Sequence, residues 1–428
     1  MLISEKLLHF IWQHQYLQNT NLSTDEGEAL QIINQGTYNT NQGPDFLDAT
    51  IMIGDIKLIG NIELHINSSD WKAHQHQSDL NFNTVILHVI WNNDTEIINE
   101  KGNKIPQLTI SYLVPKLLLN RYRDLMDTPD LIPCANYVST INPLIWSNWK
   151  ERLTIERLEQ KTTGILLQFE ESNKHWEEVL WWSIAYSYGL KLNAELFSQM
   201  AKTIAVNVLA RNKIHPIKIE ALLFGQTNLL NKQYVDIYPQ MLQEEYQFFQ
   251  KKYSLKQVEI QPSFLRMRPS GFPTIRLAHL ASLVHKSSHL FSIIKETEDI
   301  ESIKAIFNTQ TSYYWNNHYT FDNPSVEQAK HIGKTMIGNI IINAVIPVLF
   351  AYAKYNDDES IKTRVINWLN DLPAENNTVM NRWESMGIDN KTACDSQGLL
   401  QLSKFYCGEK RCLECSIGNK IIGAAKLN

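Results

Sequence analysis

The chain has 428 residues, long enough for two or three domains of ordinary size. With 43% apolar residues, 20% charged residues and five cysteines, it is neither disordered, collagen-like nor a disulfide-framework scaffold. A formal net charge of −5 excludes a uniformly basic nucleic-acid coat and leaves room for a local basic cleft.

Ile3, Leu7, Phe10 and Ile11 recur at helical spacing with charges between them, so the N-terminus reads as a helix and not as a secretory signal. The stretch 26–34 (EGEALQIIN) also has helical spacing and stops at Gly36. After a turn-rich run at 38–44, three stretches read as strands. Residues 46–53 alternate; 58–66 place Ile59, Asn61, Glu63 and His65 on one side; 84–91 are β-branched and apolar, as a central strand would be. The polar stretch 68–82 holds a short helix with Ser68 or Ser69 as N-cap. The predicted order is therefore helix, strand, strand, helix, strand. Turn signals at 92–94 and 101–103 bracket a hairpin, followed by a strand over 107–114 and a helix over 117–126. A connector then carries Pro129, Pro133 and Cys134.

From Asn142-Pro143 onward, long helical patterns dominate to about residue 370. The most apolar of them, 336–353, contains Asn339, Asn343 and Pro347 and reads as a buried core helix, not a membrane span. The expectation is an α+β protein in the cytoplasm with no membrane association. Its parts are an α/β domain over 1–135, a helical domain over 136–390 and a cysteine-bearing segment over 391–428.

The residues richest in chemistry are Gly43-Pro44-Asp45-Phe46 and Gly60-Asn61-Ile62-Glu63-Leu64-His65. Carboxylates on two neighbouring antiparallel strands can converge on one hard divalent cation, and His65 projects to the same side as Glu63 because the strand period is two. In the plainer reading, Pro44-Asp45 is a turn, and Glu63 and His65 face solvent on an edge strand. The constellation resembles the PD-(D/E)xK nuclease superfamily. That resemblance implies a restriction-endonuclease-like domain that hydrolyses phosphodiester bonds of DNA or RNA with Mg²⁺ or Mn²⁺. It implies that Asp45 and Glu63 hold the metal, that Glu28 contributes from the preceding helix, and that His65 stands where the superfamily has Lys. A His can orient or deprotonate water there but supplies no permanent charge. The alternative is a nuclease-like fold that binds nucleic acid or acts as a scaffold without turnover.

His74 and His76 read either as substrate contacts or as part of a solvated helix face, and His88 as a core histidine. Arg266, Arg268 and Arg276 surround a Pro/Gly turn and a helix start at Thr274, suited to a nucleic-acid backbone or to interdomain salt bridges. Cys407, Cys412 and Cys415 have the spacing of a zinc or iron–sulfur site, which needs a fourth soft ligand from Cys134 or Cys394. Free thiols in a reducing cytosol are the alternative. Cys394 lies in a helical segment and reads as a core thiol. Members of the nuclease superfamily in which one early and three late cysteines hold a [4Fe–4S] cluster are similar to the arrangement with Cys134. As a whole, the strings GPDFLDATI, GNIELHINSSDWKAHQHQSD, EALLFGQ, RMRPSGFPTIRLAHLA and YCGEKRCLECSIG make the chain resemble, nearly end to end, the bacterial family catalogued as domain of unknown function 2851. That likeness carries no activity with it.

Overall fold

A computed structural model describes residues 3–287 and 289–424. It is mixed α/β, with a curled sheet near the N-terminus and a large helical region after it. The chain divides into two compact units: Met1–Trp149 with Arg382–Ile388 and Leu400–Asn428, and Lys150–Asn381 with Asp389–Leu399.

The first unit opens with α1 (Glu5–Gln13), capped by Ser4, whose hydroxyl accepts the Leu7 amide. Leu7, Leu8, Phe10, Ile11 and Trp12 are buried, and the Trp12 indole N–H donates to the Gln35 carbonyl at 3.0 Å. The sheet that follows contains β1 (Leu30–Asn34), β2 (Thr37–Tyr38), β3 (Phe46–Ile53), β4 (Ile56–Asn67), β5 (Val85–Asn92) and β6 (Gln107–Thr109). Its order is β1-β3-β4-β5-β6, with β2 also paired to β3. The pairs β1/β3 and β3/β4 are antiparallel; β4/β5 and β5/β6 are parallel. Between β4 and β5 lie the single-turn α2 (Asp70–Ala73) and two 3₁₀ turns.

Two features of the sheet position the site. A bulge between Phe46 and Ala49 places Asp48 in the left-handed region at φ 56°, and its amide donates to Asn61 Oδ1 at 3.1 Å. Gly60 lets β4 approach β5, since a Cβ there would stand 2.5 Å from both the Thr84 carbonyl oxygen and Ile86 Cγ2.

The helix expected over 26–34 is instead a turn leading into β1. Gly27 takes φ 88°, the Glu28 amide donates to Thr24 Oγ1, and Leu30–Asn34 pairs with β3. Helical spacing over nine residues lost to a non-local ladder that suits the β-branched Ile32 and Ile33. Glu28 is therefore exposed in a turn and not on a helix. The acidic helix ahead of the strands is α1, through Glu5. The hairpin expected before β6 reduces to one bridge, Ile98–Lys104, and the strand over 107–114 to three residues. The helix expected over 117–126 is present as α3 (Lys116–Asp127).

The second unit is mainly helical, with one short antiparallel strand pair, His318–Thr320 and Asn323–Pro324. Within it Lys150 Nζ meets Asp395 Oδ1 at 2.6 Å and the Asp389 carbonyl at 2.8 Å. Among the described residues, one helix, Lys334–Tyr355, is long and apolar enough to cross a membrane, but 78% of its apolar window is buried within the protein. A π-turn at Ile341–Val345 precedes Pro347, which lacks the amide an unbroken α-helix would use.

Candidate functional site

The β3/β4 register places Phe46 opposite Ile62, so the next rung brings Asp45 opposite Glu63. The two carboxylates hydrogen-bond reciprocally to each other's strands. The Asp45 amide donates to Glu63 Oε2 at 3.1 Å, and the Leu64 amide donates to Asp45 Oδ2 at 3.0 Å. Imidazoles gather around them. His9 Nε2, from α1, lies 3.2 Å from Asp45 Oδ2. His76 Nε2 and His65 Nε2 lie 3.3 and 3.6 Å from Glu63 Oε1. His65 also reaches His74, Nε2 to Nδ1 at 3.1 Å, and His88, Nδ1 to Nε2 at 2.8 Å. His65, His74 and His76 bring their ligand atoms within 4.8 Å of one another. Glu5, His9, Asp45, Glu63, His65, His74, His76 and Asp79 all line one open cavity of about 420 Å³.

Burial sets the charges of this site. Glu63 is only 5% exposed; burial, then the Asp45 charge, pushes its carboxyl up to about 9, against the favourable Asp45 amide. The Glu63 carboxyl therefore carries a proton at neutral pH. Burial, then the neighbouring His76, His74 and His9, pushes His65 down to about 3. Burial also lowers His76, and lowers His88 well below the ordinary value. His65 and His88 are thus neutral imidazoles at any ordinary pH.

The donors present fit a divalent cation. Nε2 of His9 and of His76 are both buried with no well-directed hydrogen bond among the described residues. Carboxylate oxygens combined with imidazole nitrogens suit Mn²⁺ better than the strictly oxygen-loving Mg²⁺. Asp45 and Glu63 would be the oxygen ligands, with nitrogen from the His65–His74–His76 group. Since Glu63 must ionise to serve, cation binding there expels its proton.

Sequence reasoning brought Asp45, Glu63, His65, His74 and His76 to attention, and all five line the cavity; Glu28 does not. It missed Glu5 and His9, which lie on α1 far from Asp45 in sequence. It read His88 only as core. His88 is indeed wholly buried, but its register partner across the parallel β4/β5 pair is Glu63. Arg266, Arg268 and Arg276 belong to the second unit. Arg266 is in the left-handed region at φ 58°, and Arg276, in a helix that begins at Pro273, lines a separate cavity with His279, Lys330 and His331. Cys134, Cys407, Cys412 and Cys415 are all buried in the first unit, and Cys394 is buried in the second.

No curated protein and no solved structure matches the chain. A family model described as "Protein of unknown function (DUF2851)" matches residues 5–378, which includes the whole of the carboxylate–imidazole cavity and stops short of the three C-terminal cysteines. The chain therefore belongs to the DUF2851 family.

Proposed function

We propose that the protein is a divalent-metal-dependent phosphodiester hydrolase acting on nucleic acid, with Mn²⁺ the favoured cation and a domain of the restriction-endonuclease-like type. The observation that carries this reading is the meeting of Asp45 and Glu63 across adjacent antiparallel strands in an open cavity, with His65 two residues beyond Glu63. The order α1, β1, β3, β4, α2, β5 supports it, because it follows the helix–strand–strand–strand–helix–strand plan of that superfamily, with an acidic residue, Glu5, on the first helix. A bound cation would lower the pKa of its water and polarise the scissile phosphate. Asp45 and Glu63 would hold it, with Asp45 fixed by the Leu64 amide and Glu63 by the Asp45 amide. His65, neutral and held between His74 and His88, would orient the water and the cation; it would not store protons.

The test is incubation of the purified chain with single- and double-stranded DNA and RNA in Mn²⁺ or Mg²⁺. The expected outcome is Mn²⁺-supported cleavage that falls by roughly 100-fold or more in both Asp45→Ala and Glu63→Gln. Cleavage that survives both substitutions overturns the assignment. One observation favours a second reading, binding without turnover: His65 replaces the permanent cation of the superfamily with a neutral ring. Nucleic-acid binding without cleavage in any divalent metal would select it.

A further inference from the structure

The C-terminal segment Leu400–Asn428 belongs to the same unit as the sheet, and side chains fasten it there. Lys410 Nζ donates to the carbonyls of Met126 and Thr128 at 2.5 and 3.0 Å. The Arg121 guanidinium donates to the Ile421 carbonyl at 2.9 Å, and the helix Ser416–Gly423 packs on α3. These contacts carry Cys407, Cys412 and Cys415 to the connector after α3, where Cys134 precedes the 3₁₀ turn Ala135–Thr140.

All four thiols are buried, each at 7–8% exposure, and none forms a disulfide. Every pair among them is within electrostatic reach. Cys407 feels Cys134, Cys415 and Cys412; Cys134 feels Cys415 and Cys412; Cys412 feels Cys415. Cys394 is in different company, beside Thr154, Asp395, Glu151 and Lys150 in the second unit. The loop that presents Cys412 and Cys415 is shaped around them. The Ile417 and Gly418 amides, at the start of the C-terminal helix, favour the thiolate of Cys415. Gly418 is required by close approach, since a Cβ there would fall 2.1 Å from the Cys412 carbonyl oxygen. Backbone amides directed at a thiolate are the usual surroundings of a metal-bound cysteine.

We propose that Cys134, Cys407, Cys412 and Cys415 form a four-thiolate centre for a thiophilic metal, which staples the C-terminal segment to the connector after α3. It is independent of the phosphodiester site. Four thiolates suit either a single zinc, with Zn–S bonds of about 2.3 Å, or a [4Fe–4S] cluster, whose irons and bridging sulfides would occupy the space between them.

The test is anaerobic purification of the full chain, with iron, acid-labile sulfide and zinc measured beside the visible spectrum. The expected result is about one metal centre per chain, iron with sulfide or zinc, retained in Cys394→Ala and lost in Cys134→Ala and Cys412→Ala. About one zinc per chain with the same pattern of variants upholds the four-thiolate centre and changes only its occupant. A wild-type chain that takes up neither zinc nor iron with sulfide on reconstitution overturns the proposal, as does metal retained in Cys134→Ala but lost in Cys394→Ala. If a cysteine variant is insoluble, thiol alkylation of the wild-type chain decides. Chelation should expose Cys134, Cys407, Cys412 and Cys415 together and leave Cys394 unchanged, whereas labelling of the four one at a time refutes the centre.

Discussion

The protonated state of Glu63 has a measurable price in stability. A free glutamate titrates near 4.5, whereas in the fold Glu63 is pushed up to about 9 by burial and by Asp45. Between those values the folded chain keeps a proton that the unfolded chain releases. The contribution is complete below pH 4.5 and is lost as pH rises toward 9. At about 1.4 kcal/mol per unit, roughly 4 kcal/mol has gone by pH 7.5. Glu63→Gln removes this slope and keeps the shape of the protonated acid. Its carbonyl oxygen can accept the Asp45 amide, and its NH₂ can donate to His76 Nε2, which lies 3.3 Å from Glu63 Oε1. In metal-free buffer the variant should match the wild type near pH 4.5 and exceed it by about 4 kcal/mol at pH 7.5. His65 and His88 add a slope of opposite sign, lost as pH falls below 6.5, but it is common to both proteins and cancels in the difference. Urea unfolding read by hydrogen exchange in peptides spanning Ile56–Asn67 isolates the transition of the first unit. Parallel pH profiles for the two proteins, or a variant less stable at pH 7.5, would refute the reasoning.

Titration with Mn²⁺ in buffers of different ionisation enthalpy should detect release of about one proton per ion at pH 7.5, from Glu63; proton-silent binding would count against its ligation. Gly60→Ala forces a Cβ against the Thr84 carbonyl, which is backbone and cannot swing aside, so a loss of about 1–3 kcal/mol is expected by the same exchange readout. Lys150→Met leaves the Asp395 carboxylate with the Lys391 and Thr392 amides but no cation from Lys150, and should cost about 3–5 kcal/mol in chemical denaturation of the second unit. Pairing it with Asp395→Asn should restore most of that loss. His88→Phe strips His65 Nδ1 of its partner and should cost about 1–3 kcal/mol in the first unit, read by urea unfolding.

Much of the site was legible because its pieces are periodic. Alternation along β3 and β4 located Asp45, Glu63 and His65, and the strand period put the last two on one side. The bulge at Asp48 was not legible, since a left-handed residue inside a strand leaves no mark on hydrophobic pattern. Glu28 was misplaced because the spacing of EGEALQIIN fits a helix locally, while the decisive partner, β3, lies beyond any local window. Glu5 and His9 were invisible for the related reason that tertiary packing of α1, not sequence proximity, brings them to Asp45. The helical character of the second unit was readable from Asn142-Pro143 onward, but the short strand pair His318–Thr320 and Asn323–Pro324 within it was not, being too brief to show a period of two. A choice between Cys134 and Cys394 could not follow from spacing, because both precede the C-terminal trio; that they fall in different units is visible only in the folded chain.

The row His88–His65–His74 has a consequence for how the cavity can be used. His88 Nδ1 is buried without a hydrogen-bond partner among the described residues, and a bare lone pair there is less costly than a stranded N–H. That preference fixes the tautomers in sequence: His88 donates from Nε2 to His65 Nδ1, and His65 donates from Nε2 to His74 Nδ1. For His65 to offer its own Nε2 lone pair, its proton must move to Nδ1, which drives the His88 proton onto the orphaned nitrogen. The three rings therefore rearrange as one mechanical linkage, with its stop at the buried end of the row, away from the solvent at the cavity mouth.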